Sequence, residues 1–201
     1  MSTELFFIYD SHCPWSYATT ELVENIVNTF PHVHLHLMHC AYFEGDTKVS
    51  IETIKRVESL SNIQFSQPYL KALAQEKDST LAANLLTWVQ HKSTKHGLAL
   101  LKSMQKTHFE QANPLSCKED VIALIDELKL SPPEKSLQSS KFTKDTEYAL
   151  HEIGELQEII GTTAIPALLL AKDEQLILLN HNLYLTEPMK IVDAVKIELD
   201  K

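Results

Sequence analysis

Leu5-Phe6-Phe7-Ile8-Tyr9-Asp10-Ser11-His12-Cys13-Pro14-Trp15-Ser16 is the stretch on which the fold turns. Its first five residues are continuously apolar or aromatic and stop at Asp10-Ser11, the pattern of a parallel strand buried on both faces. From Pro14 the period changes. Trp15, Ala18, Leu22, Val23, Ile26, Val27 and Phe30 recur at three- and four-residue steps until Pro31, the stripe of an amphipathic helix. Residues 33–40 then alternate, with Val33, Leu35 and Leu37 on one face and His34, His36 and Met38 on the other, as in a strand whose second face is partly buried. The chain therefore opens β-α-β, a unit expected to be right-handed and parallel.

Outward from this unit, residues 50–160 carry almost nothing but helical periods. Ile51, Ile54, Val57 and Leu60 form one stripe, Leu81, Leu85, Trp88 and Val89 a second, and Leu98, Leu101 and Met104 a third. Ser116-Cys117-Lys118-Glu119 has the form of a capping box opening a helix with Val121, Ile122, Ile125 and Leu128, which Pro132-Pro133 ends. A further helix carries Leu150, Ile153, Leu156, Ile159 and Ile160 and stops at Gly161. Residues 166–171 and 175–179, joined by a turn at Lys172-Asp173-Glu174, read as a hairpin. Residues 187–199, with Ile191, Val192, Val195 and Leu199 on one side, close the chain as a helix. The expected class is α/β: β-α-β, a long helical insertion, then β-β-α.

Composition removes several functions. The 201 residues include four glycines, Gly45, Gly97, Gly154 and Gly161, too widely spaced for a G-x-G-x-x-G or Walker loop. With 27 Asp plus Glu against 18 Lys plus Arg, a net charge of −9 and Arg56 as the one arginine, a nucleic-acid partner is not expected. Cys13, Cys40 and Cys117 are an odd number at wide spacing, a poor disulfide framework. The apolar run at residues 5–9 is too short for a signal peptide and has no basic region before it. No uncharged stretch reaches the ~20 residues of a membrane span. These features predict a cytoplasmic protein with no membrane partner.

Cys13 sits where the first strand ends and the first helix begins. Pro14 suits the first helical turn, because its missing N–H is not needed there. Cys13 should thus lie at the N-cap, facing free backbone donors and the positive end of the helix dipole, both of which favour a thiolate. Ser16 can turn its hydroxyl toward the sulfur. The spacing predicts a Cys13 pKa below that of a free thiol.

An aromatic strand, Cys13-Pro14-Trp15-Ser16 at a helix start, a helical insertion and Thr163-Ala164-Ile165-Pro166 opening a later strand together resemble the DsbA-like branch of the thioredoxin superfamily. Tyr9-Asp10 ahead of the cysteine is most similar to its predicted protein-disulfide isomerase subgroup. The resemblance implies a thioredoxin fold over residues 1–48 and 162–201 with residues 49–161 as an inserted helical domain. It implies that Pro166 is a cis-proline facing Cys13, and that the Ile165 backbone is available to a thiol substrate. One departure matters: Ser16 stands where the family has its second cysteine. A hydroxyl that stays protonated cannot resolve a mixed disulfide. Resolution then falls to an external thiol such as glutathione, to a substrate thiol, or to Cys40, which ends the second strand at the same sheet edge as Cys13. No bound cofactor is expected.

Other residues carry two readings each. His12, beside Cys13, is either a cation favouring the thiolate or a solvated side chain. Asp10 is a buried acid tuning the thiol or a turn residue. Trp15 and Tyr17 line a substrate groove or pack the helix, whereas Trp88 reads as core. Cys117 reads as structural. His32, His34 and His36 share a face of an expected edge strand, where a polar face defends against pairing, and no metal site is predicted.

The leading functional reading is a monothiol thiol–disulfide oxidoreductase or isomerase acting through Cys13 on a thiol or disulfide substrate. A second is a glutathione-dependent enzyme similar to kappa-class transferases and hydroxychromene-carboxylate isomerases. Those have serine in place of Cys13, and a Gly-x-Asp-Arg pattern where this chain reads Asn180-His181-Asn182-Leu183. A third is a non-catalytic thioredoxin-fold protein that binds peptides along Ile165-Pro166.

Overall fold

A computed structural model describes residues 3–173 and 175–200; Glu174, in the expected turn, lies outside the described residues, as do Met1, Ser2 and Lys201. Strand β1 (Thr3–Tyr9) is followed by α1 (Pro14–Thr29) and β2 (Val33–His39). After the helical block come β5 (Ala167–Lys172), β6 (Gln175–Leu178) and the last helix, α8 (Lys190–Leu199). The four strands form one sheet in the order β2-β1-β5-β6. β1 runs parallel to β2, and both β1–β5 and β5–β6 are antiparallel. β1 is thus central, as its unbroken apolar run predicts, and β2 is an edge.

The sheet's two faces hold different sets of side chains because a strand alternates. Leu5, Phe7 and Tyr9 of β1 join Leu168 and Leu170 of β5 in one large core with Leu22 and Ile26 of α1. Helix α8 covers the same face, packed against α1. Ile8, Ala167 and Leu169 point the other way, onto Ile153 of α7 (Lys144–Ile160). Each Leu, Ile or Phe side chain among these, buried completely, contributes about 1.5–3 kcal/mol.

Between the two halves lie α2 (Ile51–Leu60), the short α3 (Gln67–Lys71), α4 (Thr80–Lys92), α5 (Gly97–Gln111), α6 (Lys118–Glu127) and α7. The large core continues without a break into this block through Leu85 and Val89 of α4, Leu101 and Met104 of α5, and Val121 and Ile125 of α6. Asn84, buried in α4, fixes the start of α7. Its side-chain N–H groups donate to the Gln138 and Lys141 carbonyls at 2.9 and 3.0 Å, and its oxygen accepts from Thr143 N–H and the Thr146 hydroxyl at 2.8 and 2.9 Å. All its polar capacity is used. Gly97 permits another close approach: a Cβ there would stand 3.0 Å from Leu37 Cδ1.

Three local expectations are corrected. The block is not wholly helical: β3 (Glu44–Thr47) pairs antiparallel with β4 (Lys77–Asp78), a ribbon of polar residues without hydrophobic alternation. The capping box of α6 is shifted by one residue. Cys117 is the N-cap, and Asp120, not Glu119, accepts from the backbone N–H groups of Ser116 and Cys117 at 2.8 and 3.1 Å. Ile159, on the α7 stripe by spacing, faces solvent. The helix does end at Gly161, in the left-handed region at φ +68°. With so few glycines, Ala112 and Lys129 take left-handed conformations after α5 and α6 at φ 59° and 53°, a conformation that costs an L-residue about 1–2 kcal/mol.

Candidate active site

Cys13 is the N-cap residue of α1, with extended φ/ψ of −83° and 120° and Pro14 at the first helical position. The Tyr17 N–H closes the first helical turn onto the Cys13 carbonyl at 3.0 Å, and the Cys13 N–H returns to the Asp10 carbonyl at 3.1 Å. Ser16, fully buried, accepts from the Asp10 N–H at 3.3 Å, which leaves its own hydroxyl hydrogen for the sulfur.

The electrostatics of Cys13 differ from the expectation. Only 8% of the residue is exposed, and burial pushes its thiol above the ordinary value. The Ser16 N–H, the Ser16 hydroxyl and the Trp15 N–H act in the opposite direction, while the Asp10 charge adds to the rise. Donors at the helix start are present as predicted, but desolvation of the charged form outweighs them. Ser16→Ala should raise the Cys13 pKa further and slow alkylation at neutral pH roughly tenfold, the scale of one charge-assisted hydrogen bond. An unchanged profile of alkylation rate against pH would remove Ser16 from this role.

His12 fits neither of its expected readings. It is fully buried and burial lowers its pKa, so it is neither solvated nor a cation at neutral pH. Its Nε2 lies 2.9 Å from the Pro114 carbonyl, which can only accept, so Nε2 carries the proton and Nδ1 accepts from the Ser11 hydroxyl at 3.0 Å. The same hydroxyl is 2.9 Å from Nε2 of His39. His39 is driven down to about 4 by burial, with the neighbouring His12 adding to the fall and Asp10 opposing it. With the Ser11 hydroxyl hydrogen used on His12, the Ser11 oxygen accepts from His39 Nε2–H, and the Ala41 N–H donates to the bare Nδ1 at 3.1 Å, so protonation at Nδ1 would set N–H against N–H. His108 packs 4.3 Å from His12, donates through Nδ1 to the Asn113 carbonyl at 2.7 Å, and is also lowered by burial.

Asp10 fits both of its expected readings: it is fully buried, and it opens the turn that the Cys13 N–H closes onto its carbonyl at 3.1 Å. It accepts from the Ser79 hydroxyl at 2.6 Å, the His12 N–H at 2.7 Å and the Phe43 N–H at 3.3 Å. Ser79 and Pro114 belong to the helical block, so the loop bearing Cys13 is tied to it at two points. Neither residue, nor His108, carries a local signal that would have marked it.

Two clefts meet beside Cys13. One, of about 480 Å³, is lined by Cys13, Pro14, Trp15 and residues 163–165, together with Tyr42 and the segment entering α2. The other, of about 430 Å³, holds Trp15, Ile165, Pro166 and Arg56 among its walls. The Ile165–Pro166 peptide bond is cis. Trp15 lines both clefts, whereas Tyr17 lines neither and stacks on Phe109 with centroids 4.6 Å apart. Cys40 is half-buried with Phe6, Met38 and Ile165 in the core cluster on the α7 side of the sheet, and burial holds its thiol well above the ordinary value. Cys13 belongs to the other cluster. Cys117 is exposed, and all three cysteines are free. His36 pairs with Glu4 and stacks on Phe6. Among the described residues no three His, Cys, Asp or Glu side chains converge on a metal-sized site, and no helix is long and apolar enough to cross a membrane.

No protein-family model and no curated protein sequence matches this chain. Solved structures do match over nearly its whole length. The cytosolic disulfide reductase DsbM from Pseudomonas aeruginosa superposes with a TM-score of 0.84 at 17% identity, covering 98% of each chain. Its structure with GSH gives 0.81 at 16% identity, over 98% of this chain and 100% of that one. A candidate protein disulfide isomerase from Nitrosomonas europaea gives 0.76 at 14% identity, over 100% and 98%. The chain thus has the DsbA-like thioredoxin fold, with its helices inserted between the β-α-β and β-β-α halves.

Proposed function

We propose that this protein is a monothiol thiol–disulfide oxidoreductase or isomerase of a reducing, cytoplasmic compartment, with Cys13 as nucleophile and glutathione as the resolving thiol. The observation that carries the reading is Cys13 at the N-cap of α1, opening onto the cleft formed with Ile165 beside the cis-proline. Residues 1–48 and 162–201 form the thioredoxin-like part in this reading, and residues 49–161 are an insertion that walls the groove.

Attack by the Cys13 thiolate on a glutathione mixed disulfide forms a Cys13–glutathione disulfide and releases the substrate thiolate, which takes up a proton. A second glutathione thiolate then attacks that disulfide, giving oxidised glutathione and the Cys13 thiolate. In sum one disulfide is exchanged for another: the added glutathione thiol is oxidised as the substrate sulfur is reduced, and the glutathionyl sulfur of the mixed disulfide stays at the disulfide level, ending in oxidised glutathione. Ser16 donates to the sulfur in its anionic forms, and Ile165 presents its backbone to the docked thiol. Because the resting thiol is raised, the attacking thiolate fraction and the rate should climb with pH through the alkaline range.

The test is turnover of a glutathionylated peptide with reduced glutathione, followed by intact-mass analysis. Glutathione-dependent release with a transient single adduct at Cys13 is expected. Absence of both adduct and release would sink the reading. The burial of Cys13 favours one second reading, peptide binding in the groove without turnover, for which a persistent adduct with no release would speak.

A further inference from the structure

The two clefts beside Cys13 share Trp15, Ala164 and Ile165. In a chain with nine more acidic than basic side chains, neither cleft is lined by a carboxylate. Their charged lining is Lys48 in the first and Arg56, the chain's one arginine, in the second; His181 also lines the second, but burial lowers it to about 4 and keeps it neutral. Both Lys48 and Arg56 are exposed, and among the described residues neither has an ion-pair partner. Lys102, Lys118 and Lys190, by contrast, pair with glutamates. Helix α2 begins in the first cleft at Ser50 and Thr53, adding partial positive charge on the same side as Lys48.

We infer that the two clefts form one groove selective for a small thiol with a carboxylate at each end, Lys48 pairing with one carboxylate and Arg56 with the other while the sulfur lies at Cys13. Glutathione has this layout: its γ-glutamyl and glycyl carboxylates flank a central cysteine. The inference deepens the reading of Cys13 as the reacting thiol by naming what selects the co-substrate. An acidic surface repels anions in general, so a local pair of cations without ion-pair partners supplies contrast as well as attraction.

Calorimetric titration of reduced glutathione into the Cys13→Ser variant measures docking without chemistry. Lys48→Ala in that background should weaken binding roughly fivefold, and Arg56→Ala roughly tenfold because guanidinium can hold a carboxylate through two parallel bonds. Lys55→Ala, the same charge change on exposed α2 surface outside both clefts, is the control for general electrostatics. Glutathione esterified at the glycyl carboxylate should bind more weakly, and one of the two lysine or arginine variants should show no further loss with it. Equal effects of Lys48→Ala, Arg56→Ala and Lys55→Ala would overturn the groove, as would equal affinity for glutathione and its diester. Failure of the wild type to form a Cys13 adduct, with these binding differences intact, would instead remove the chemistry and leave the groove standing.

Discussion

Cys13→Ser should reduce the proposed glutathione-dependent disulfide exchange by on the order of 10³-fold or more, the scale on which loss of a covalent nucleophile registers. Nothing else on the described surface of the groove can replace it. Ser16 is fully buried and its oxygen already accepts the Asp10 N–H. Cys40 packs on the α7 side of the sheet with its thiol raised by burial, and Cys117 is exposed at the start of α6. The variant should fold, since serine is an ordinary N-cap residue and is better at that task than cysteine. Initial rates with and without reduced glutathione check the prediction, and exchange retained by Cys13→Ser would place the nucleophile elsewhere. Cys40→Ser then distinguishes external from internal resolution. With external resolution the rate keeps both its size and its dependence on glutathione concentration; a loss above about tenfold would assign the resolving step to Cys40.

The features that were legible in the sequence are those encoded within a few residues. An unbroken apolar run placed β1 at the centre, alternation read β2 as a strand with one face only partly buried, and Pro14 located the N-cap at Cys13; the edge position of β2 came from the topology that the family resemblance implies. The acidity of Cys13 was not legible, because helix-start donors are local whereas burial is set by the whole fold. The same holds for His12. Its partner Pro114 lies 102 residues away, and Ser79, which holds Asp10, lies 69 residues from it. Lys48 and Arg56 belong to ordinary polar segments, and only the folded arrangement brings them to opposite clefts beside one cysteine. The β3–β4 ribbon escaped for a different reason: neither strand has an apolar face to alternate.

Lowering the pH from 7 to 5 should destabilise the folded protein by about 3 kcal/mol or more. The cause is a set of imidazoles held neutral. His39 is about 4 in the folded chain against 6.5 as its ordinary value. Between those values the unfolded chain binds a proton that the folded chain does not, so unfolding takes up protons and stability falls as the pH drops. His39 alone accounts for about 2 kcal/mol over this interval. His181, also lowered to about 4 but only partly buried, adds about 1 after allowance for solvent screening. His12 and His108 are lowered too and act with the same sign. Against a usual total of about 5–15 kcal/mol this is a large share. Urea titrations at the two pH values measure it, and coincident midpoints would contradict the neutral buried cluster. The segment around His39 should loosen early in acid, because protonating Nδ1 turns the acceptor of the Ala41 N–H into a donor facing it, and the same ring holds Ser11 in the Asp10–His12 loop. That loop carries Cys13, so the alkylation rate corrected for ionisation should rise as the pH falls below about 5. Access to the sulfur would then increase while its thiolate fraction decreases, two opposed trends that the buried histidines uncouple.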